Sequence, residues 1–307
     1  MSIPADPTQA SLRIYRGRFA PSPTGLLHSG SLIAAVASYL DARTSGGQWF
    51  VRMEDLDPPR EVPGAAANIL QTLEAFGFEW NGEVIYQSRR LDYYRQALDR
   101  LAALGLSYPC GCTRKEIADS AISGIEGPIY PGTCRNGLPV GKLARAWRFK
   151  APDIQIGFHD RLMGYQIQNL YREIGDFVLL RADGYFAYQL AVVIDDAEQQ
   201  ITDIVRGADL IDSTPRQIAI QRALGIPQPS YLHLPVLVND KGEKLSKQTL
   251  APALDISEVS GQLVFTLQRL GQNPPVGLIK ASVAEVWKWA FSHWKSAEIP
   301  RQRSFQY

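Results

Sequence analysis

The sequence predicts an α/β protein whose core is a doubly wound parallel sheet, interrupted by a small insertion and followed by a short helical C-terminal segment. Three observations predict this class. A β-α-β pattern opens the chain, an irregular stretch rich in Gly, Pro, Cys and Tyr interrupts it, and the alternation of apolar strands and helices then resumes. We expect the two halves of the core at 1–107 and 181–250, the insertion at 108–180 and the helical end at 251–307.

The first half of the core contains a complete β-α-β unit. A short strand ending near Phe19 runs into a Pro/Gly turn, an Ala-rich helix follows from about Ser29 to Arg43, and a Gly-Gly break leads to the strand QWFVRM. Such a unit predicts parallel strands joined by a right-handed crossover. Two further helices are predicted in PGAAANILQTLEAFGF and SRRLDYYRQALDRLAALG, the second with Ser88 as its N-cap and Gly105 at its C-terminal end.

The second half repeats the pattern and completes a Rossmann-type sheet. YFAYQLAVVIDD and QQITDIVRG are predicted to be strands, and STPRQIAIQRALG a helix with Pro215 in its first turn. The C-terminal stretch VAEVWKWAFSHW is predicted to be a helix with an apolar face. Its aromatic residues are more typical of packed core than of a surface that stacks on bases.

The composition is that of a soluble globular protein. The chain has 307 residues, of which 45% are hydrophobic and 21% charged, and no stretch approaches the about 18 consecutive apolar residues that a membrane span needs. The N-terminal residues have neither the basic start nor the apolar stretch of a signal peptide. We therefore expect a cytoplasmic protein without a membrane partner. The formal net charge of +1 limits any nucleic-acid-binding surface to a local patch.

The irregular stretch, mainly residues 108–140, holds all three cysteines: Cys110, Cys112 and Cys134. Three unrelated reduced thiols are one interpretation, and three of the four ligands of a tetrahedral zinc site are the other. The candidates for a fourth, oxygen ligand are a water molecule and Glu116, Asp119, Glu126 and Tyr130. Spacing favours Tyr130, which precedes Cys134 by one short turn. A structural metal would order a segment that has little apolar core of its own.

Two polar stretches are candidates for nucleotide binding. In PSPTGLLHSGS, Gly25 allows a tight turn, and His28 and Gly30 flank the start of the following helix, whose free N–H groups suit a phosphate. Further on, KLSKQ places Lys244 and Lys247 on a polar loop. Taken singly, each stretch is more often an ordinary turn or a solvated charge cluster.

Together and in this order, the two stretches resemble the HIGH and KMSKS signatures of class I aminoacyl-tRNA synthetases. The resemblance implies that His28, Gly30, Ser31 and Lys247 bind ATP with its Mg²⁺, and that His28, Lys244 and Lys247 are catalytic. The two lysines would stabilise negative charge at the α-phosphate. Ser31 stands where the family has its second histidine, and its hydroxyl can still donate to a phosphate.

The flanking stretches RFAPSPTG, VRMEDLDPPR, FAYQLAVVIDD, TDIVRGADL and YLHLP resemble the glutamyl branch of these synthetases. The resemblance implies contacts to glutamate from Arg18, Phe19, Ala20, Pro21, Ser22, Glu54, Tyr188 and Arg206. Two carboxylates and an ammonium group require guanidinium donors and an acidic partner, which this set supplies. Glutamine would leave a buried guanidinium without a carboxylate, so the arginines also select against it. The roles of Asp55 and Asp57 stay open.

The sequence ends soon after KLSKQ, so we expect no anticodon-binding domain. This pattern resembles the glutamyl-queuosine tRNA(Asp) synthetases, truncated paralogues of glutamyl-tRNA synthetase. The resemblance implies activation of L-glutamate by ATP without tRNA, and its transfer to queuosine at the wobble position of the tRNA(Asp) anticodon. The partner would be the anticodon stem-loop and the protein a monomer. The resemblance also implies one structural zinc ion per chain, held by Cys110, Cys112, Tyr130 and Cys134.

Two alternatives remain open. The first is a compact glutamyl- or glutaminyl-tRNA synthetase that charges a tRNA 3′ end, and the second is a non-catalytic paralogue that binds a nucleotide or tRNA. The presence of KLSK, Glu54 and Arg206 argues against the second, because a binding relic does not need a loop specialised for charge in phosphoryl transfer.

Overall fold

The computed structural model describes residues 14–120, 123–124, 127–239 and 252–306. The α-helices within these ranges are α1 (Ser29–Thr44), α2 (Ala65–Ala75), α3 (Leu91–Ala103), α4 (Arg114–Ser120), α5 (Leu170–Glu173), α6 (Tyr188–Glu198), α7 (Thr214–Leu224), α8 (Val259–Arg269) and α9 (Val283–His293). The strands are β1 (Arg16–Phe19), β2 (Gln48–Met53), β3 (Ile85–Tyr86), β4 (Ser107–Cys110), β5 (Ser123–Gly124), β6 (Gly127–Pro128), β7 (Ala146–Phe149), β8 (Gln155–Asp160), β9 (Gly164–Asn169), β10 (Val178–Leu180), β11 (Asp203–Gly207), β12 (Ser230–Leu234), β13 (Val236–Val238) and β14 (Ser304–Gln306).

The predicted β-α-β unit is confirmed at the N-terminal end of the chain. Strand β1 pairs with β2 in parallel, β2 pairs with β3 in parallel, and α1 connects the first two strands. Helix α1 is buried along almost its whole length after the first turn, including residues Leu32 and Leu40. A helix that is apolar on all sides lies inside a protein rather than on its surface, and α1 packs in the same core as Trp49 and Val51 of β2.

The second half supplies another parallel pair, β11 and β12, next to the first sheet. The Thr202 backbone N–H donates to the Arg16 carbonyl oxygen at 2.9 Å, and the Arg16 N–H donates to Thr202 Oγ1 at 2.8 Å. These bonds hold β11 beside β1. Strand β12 also pairs in parallel with β8, which forms an antiparallel hairpin with β9. The α/β class is therefore confirmed, and the carboxyl ends of β1, β2, β11 and β12 come together.

Two details of the prediction are wrong. The stretch YFAYQLAVVIDD, predicted to be a strand, contains helix α6, whose residues Leu190 to Asp196 are all buried. A short apolar run that is buried on every side has no distinguishing period, so sequence alone cannot separate a central helix from a central strand. Ser88 is not an N-cap, because α3 begins at Leu91 after Arg90.

The helix ends marked by glycine and proline agree better with the prediction. Gly105 follows α3 with φ of 69°, a left-handed conformation that favours glycine, as expected for its stop signal. Pro215 lies in the first turn of α7, where its missing N–H has no helical partner to lose.

The insertion is built on a small antiparallel sheet in the order β10-β7-β4. Among its described residues, the cysteine-containing part has a buried core of Tyr108, Cys110, Tyr130 and Cys134, with Cys112, Ile117 and Leu138 packed against it. The prediction of a segment with little apolar core is thus confirmed for this stretch.

The C-terminal helices pack on the first half of the sheet. Trp287 of α9 lies edge-on to Tyr39 and Phe78, and its indole N–H donates to the Phe76 carbonyl oxygen at 2.8 Å. For Trp287, the interpretation as packed core is confirmed. None of the helices described above combines the length and apolar character needed to cross a membrane.

Candidate active site

A cavity of about 680 Å³ opens at the carboxyl ends of β1, β2, β11 and β12. Of the residues predicted to bind glutamate or ATP, the following line it: Arg18, Phe19, Ala20, Ser22, His28, Gly30, Ser31, Glu54, Tyr188 and Arg206. Pro21 contributes its carbonyl oxygen to the frame, where it accepts from the Glu54 N–H at 3.0 Å. Lys244 and Lys247 lie outside the described residues. The crevice beyond the strand ends of an open α/β sheet is where such folds bind their ligands.

Arg18 and Arg206 occupy matching positions in the two parallel pairs. Each is the residue before the last of its strand, β1 for Arg18 and β11 for Arg206, and each is about 95% buried or more. Asp196 of α6 accepts from Arg18 Nε at 3.0 Å. The strand positions direct both guanidinium groups into the same cavity. Two fixed arginines in one cavity are suited to a ligand with two carboxylates.

Arg18 belongs to a buried network of charges beneath the cavity. Arg52 of β2 is fully buried, and its Nη1 donates to Asp196 Oδ1 at 2.9 Å and to Gln199 Oε1 at 2.7 Å. Burial raises the pKa of Asp196, but Arg18 and Arg52 outweigh that effect and leave it below its usual range. Asp196 is therefore a fixed anion that sets the positions of both arginines.

The neighbouring Asp195 anchors this network to α3. Its carboxylate accepts from the Tyr94 hydroxyl, from Gln87 Nε2 and from Arg90 Nε, each at 2.7 Å. Sequence reasoning missed the pair Asp195 and Asp196, as well as Arg52. The available signal was the position of two acidic residues and one arginine inside apolar runs, since a buried charge requires a partner.

Glu54 follows β2 directly and provides the acidic group of the cavity. Its side chain is 10% exposed, and Arg52 Nη2 lies 3.5 Å from its Oε1. Burial raises the pKa of Glu54 to about 7, even though the charges of Arg52 and Arg18 act in the opposite direction. Burial destabilises the charged form of this carboxylate. A cationic group bound beside it stabilises that form and lowers the pKa again, so the site favours a cationic ligand.

His28 forms the N-cap of α1. Its Nδ1 accepts from the Gly30 N–H at 3.1 Å, so the proton of a neutral ring lies on Nε2. Gly30 and Ser31 form the first turn of the helix and line the same cavity. The N-terminus of a helix and its dipole favour a phosphate at this end.

The two aspartates of EDLD have different surroundings. Asp55 accepts from the Ser88 N–H at 2.8 Å and from Ser88 Oγ at 2.6 Å, so it holds the turn before α3. Asp57 lines the cavity and forms ion pairs with Arg60 and with Arg181, the latter at 3.3 Å. Asp55 is thus structural, and Asp57 belongs to a charged rim at the cavity mouth.

The cysteines form a second cluster, separate from the cavity. The three Sγ atoms of Cys110, Cys112 and Cys134 lie within 4.8 Å of one another. The Tyr130 hydroxyl oxygen lies 3.3 Å from Cys110 Sγ and 3.5 Å from Cys112 Sγ. Three thiols and one phenol thus converge on one point, which is a donor set that fits a tetrahedral zinc ion.

An arginine lies beside the cysteine cluster, and an aspartate holds the surrounding segment in place. The Arg148 guanidinium carbon lies 3.9 Å from the centre of the Tyr130 ring, and Arg148 Nε donates to Cys110 Sγ at 3.4 Å. Asp176 binds the segment on both sides, because it accepts from the Tyr108 hydroxyl at 2.5 Å and pairs with Arg135. A cation near thiolates and outer contacts of this kind are typical of metal sites.

Glu116, one of the alternative oxygen ligands, binds other groups instead. It forms an ion pair with Lys142, and its Oε2 accepts from the Thr113 N–H at 2.7 Å. The hydrogen bond from Lys142, together with those from Thr113, lowers the pKa of Glu116 to about 2. Glu126 lies outside the described residues, and Tyr130 is an oxygen donor that the structure places beside the thiols.

Comparisons with known proteins agree with this geometry. The profile of the family described as tRNA synthetases class I (E and Q), catalytic domain, matches residues 15–268. The chain is similar to the glutamyl-Q tRNA(Asp) synthetase of Chromobacterium violaceum, with 62% identity over 287 residues that cover 94% of this chain and 96% of that relative. The relative of the same name from Dechloromonas aromatica is 60% identical over 290 residues, covering 94% and 96%.

Solved structures support the fold. The chain is similar to a glutamate tRNA ligase of Elizabethkingia meningosepticum solved in complex with its amino acid, with a TM-score of 0.78 and 24% identity. The match covers 95% of this chain and 66% of that one, so the chain spans about two thirds of the ligase. A glutamate-tRNA synthetase of Elizabethkingia anophelis gives a TM-score of 0.79 at 24% identity.

Proposed function

The chain belongs to the glutamyl-Q tRNA(Asp) synthetases, within the class I family of glutamyl and glutaminyl synthetases, and from this premise we propose how it works. It is a ligase that activates L-glutamate with ATP and transfers the glutamyl group to queuosine in tRNA(Asp). The observation that carries the proposal is the convergence of Arg18, Arg206 and Glu54 with the N-terminus of α1 around one cavity. This arrangement provides for two carboxylates, one ammonium group and a phosphate chain.

Glutamate binds between the two parallel strand pairs. Arg18 and Arg206 take its carboxylates, Glu54 takes its ammonium group, and Phe19, Ala20, Pro21, Ser22 and Tyr188 complete the pocket. The rigidity of the arginines supports this assignment, since both are buried and hydrogen-bonded from behind. Glutamine is rejected because its amide leaves one guanidinium without a counter-charge, which costs about 1–3 kcal/mol or more.

ATP binds with its phosphates at the start of α1. His28, Gly30 and Ser31 contact the nucleotide, and Lys244 and Lys247 stabilise the charge that develops at the α-phosphate, as does Mg²⁺ bound to ATP. A carboxylate oxygen of glutamate attacks the α-phosphorus, the bond from phosphorus to the bridging oxygen breaks, and pyrophosphate leaves. The product is glutamyl-adenylate, formed without tRNA.

The second step consumes the adenylate. A hydroxyl of the cyclopentenediol of queuosine, at the wobble position of the anticodon, attacks the activated carbonyl carbon. The bond between the carbonyl carbon and the bridging phosphate oxygen breaks, and AMP leaves. The hydroxyl group loses its proton, so an ester remains on the tRNA. We expect the anticodon stem-loop to enter this cavity, which Asp57, Arg60 and Arg181 also line.

The proposed architecture assigns the two halves of a Rossmann-type catalytic domain to 1–107 and 181–250, the insertion to 108–180 and a helical end to 251–307. Cys110, Cys112, Tyr130 and Cys134 would hold one zinc ion, which would supply structural cross-linking and take no part in the reaction. The separation of the cysteine cluster from the cavity supports this division of roles.

Two assays test the function. The first is glutamate-dependent exchange between ATP and pyrophosphate without tRNA, which we expect to proceed and which should not proceed with glutamine or aspartate at the same concentration. The second compares transfer of labelled glutamate to tRNA(Asp) with queuosine, tRNA(Asp) without it, and tRNA(Glu). We expect label on the first alone. Charging of tRNA(Glu) at its 3′ end would replace the proposal with a compact glutamyl-tRNA synthetase.

A further inference from the structure

Arg206 is held from behind by His233 and Thr214, which do not line the cavity, and it also contacts Tyr188, which does. Its Nε donates to His233 Nε2 at 3.1 Å, its Nη2 donates to Thr214 Oγ1 at 2.8 Å, and its Nη1 lies 3.4 Å from the Tyr188 hydroxyl. His233 is fully buried and is not one of the residues that line the cavity. The hydrogen bond to Arg206 links His233 to the cavity.

The pairing of the strands fixes this contact. Arg206 of β11 and His233 of β12 are direct register partners in a parallel pair, so their side chains leave the sheet side by side. Asp160, the last residue of β8, lies next along the sheet because β8 pairs with β12 at Tyr231. Three neighbouring strands thus place a carboxylate, an imidazole and a guanidinium in a row.

The hydrogen bonds determine the tautomer of His233. Arg206 can only donate, so His233 Nε2 must accept and carry no proton. The proton of the ring is on Nδ1, which donates to Asp160 Oδ2 at 2.7 Å. Asp160 suits this role because its oxygens also accept the N–H groups of His233 at 3.0 Å, Leu162 at 3.0 Å and Met163 at 2.8 Å. Four donors fix the carboxylate in one orientation.

Electrostatics favour the same neutral state. Burial lowers the pKa of His233 to about 4, and the charge of Arg206 acts in the same direction, whereas Asp160 and Asp209 raise it less. A protonated ring would place an N–H opposite the Arg206 N–H in a space that excludes water. The neutral ring instead accepts the bond that keeps the guanidinium in its plane.

We propose that Asp160 and His233 form a positioning pair that sets the direction of the Arg206 guanidinium, and through it the affinity for a glutamate carboxylate. The inference rests on the proposed function, since it concerns the same amino-acid site. Asp160 orients the imidazole, the imidazole orients the guanidinium, and Thr214 Oγ1, which lies 3.2 Å from His233 Nε2, accepts from the neighbouring guanidinium nitrogen. Arg206 itself lines the cavity, so its remaining donors are available to a ligand.

The kinetic test compares four variants with the unmodified protein in the exchange assay. His233→Leu fills the space without an acceptor, and we expect the KM for glutamate to rise roughly ten- to a hundredfold, the usual range for a lost hydrogen bond to a buried charged group. The KM for ATP should change less than about threefold. His233→Gln returns an acceptor oxygen near the position of Nε2, and should restore the KM for glutamate to within about fivefold of its original value.

Asp160→Asn and Tyr231→Phe complete the set. In Asp160→Asn, the amide N–H group faces His233 Nδ1 and makes it an acceptor. The ring proton then moves to Nε2, opposite the N–H of Arg206, so the KM of this variant for glutamate should rise as in His233→Leu. Tyr231 is equally buried on the same strand, and its hydroxyl bonds to Gln221 at 3.3 Å instead of to Arg206. Tyr231→Phe should therefore leave the KM for glutamate unchanged.

Three outcomes would overturn the proposal: an unchanged KM for glutamate in His233→Leu, an equal rise for ATP and glutamate, or an equal effect of Tyr231→Phe. Nitrogen NMR of the unmodified protein tests it without any variant, since the chain has only four histidines. We expect His233 with a protonated Nδ1 and a bare Nε2 at pH 7, and a protonated Nε2 would refute the pairing. Absence of exchange in the unmodified protein would instead refute the proposed function.

Discussion

The cavity and the cysteine cluster are both constellations of polar side chains, but the fold holds them in different ways. At the cavity, Arg18, Arg52 and Asp196 are buried and paired on strands and a helix of the central sheets. At the cysteine cluster, three thiols and a phenol meet in a segment with hardly any apolar core. The sheets and helices fix the first constellation, whereas the donor set of the second fits a metal ion that would cross-link its segment.

The difference has a physical basis in how each site obtains its rigidity. Buried charges are costly unless their partners are fixed, so the strands around the cavity supply many partners for each charge. The cysteine segment is instead held by a few side-chain contacts, among them those of Asp176 with Tyr108 and Arg135. Mutations at the cavity should therefore impair chemistry, and mutations at the cysteine cluster should impair stability.

The largest expected effect comes from Arg206→Lys. Lysine keeps the charge but cannot bond to His233, Thr214 and a ligand in one plane. We expect kcat/KM for glutamate in the exchange assay to fall roughly a hundred- to a thousandfold, as when one partner of a buried charge network is removed. The matched control is Arg172→Lys, at an exposed ion pair with Asp153, which should change kcat/KM less than about twofold. A similar loss of kcat/KM in both variants would contradict the view that the buried contacts of Arg206 cause the effect.

The cysteine cluster provides the opposite test. We expect one zinc ion per chain, and we expect Cys134→Ser or removal of the metal by a chelator to lower the melting temperature by roughly 5–10 °C, because structural zinc contributes folding energy. The rate of exchange at 25 °C should stay within about threefold. Thr113→Ala, which removes a hydrogen bond in the same segment, is the control and should keep the metal. Folded protein with far less than one zinc ion per chain would contradict the assignment of the donors.

Sequence could predict the elements that carry local signals. Local signals predict the β-α-β unit, the end of α3 at Gly105 and the cluster of cysteines, because they depend on residues close together in the chain. The structure agrees with each. What sequence could not predict depends on distant strands: the row of Asp160, His233 and Arg206 draws on three strands far apart in the chain. The apolar run of α6 was predicted as a strand because burial on all sides removes the periodic signal.

The smallest expected effect concerns the pH dependence at Glu54 and separates charge from shape within the cavity. Burial raises the pKa of Glu54 to about 7, so this side chain gains a proton as the pH falls through neutrality. Only the carboxylate attracts the ammonium group of glutamate, and the affinity for glutamate should therefore fall as the pH is lowered. We expect the KM for glutamate to rise roughly tenfold between pH 8 and pH 6, with most of the change below pH 7. In Glu54→Gln the KM should be high and flat across this range, and an unchanged slope in that variant would assign the titration to another group.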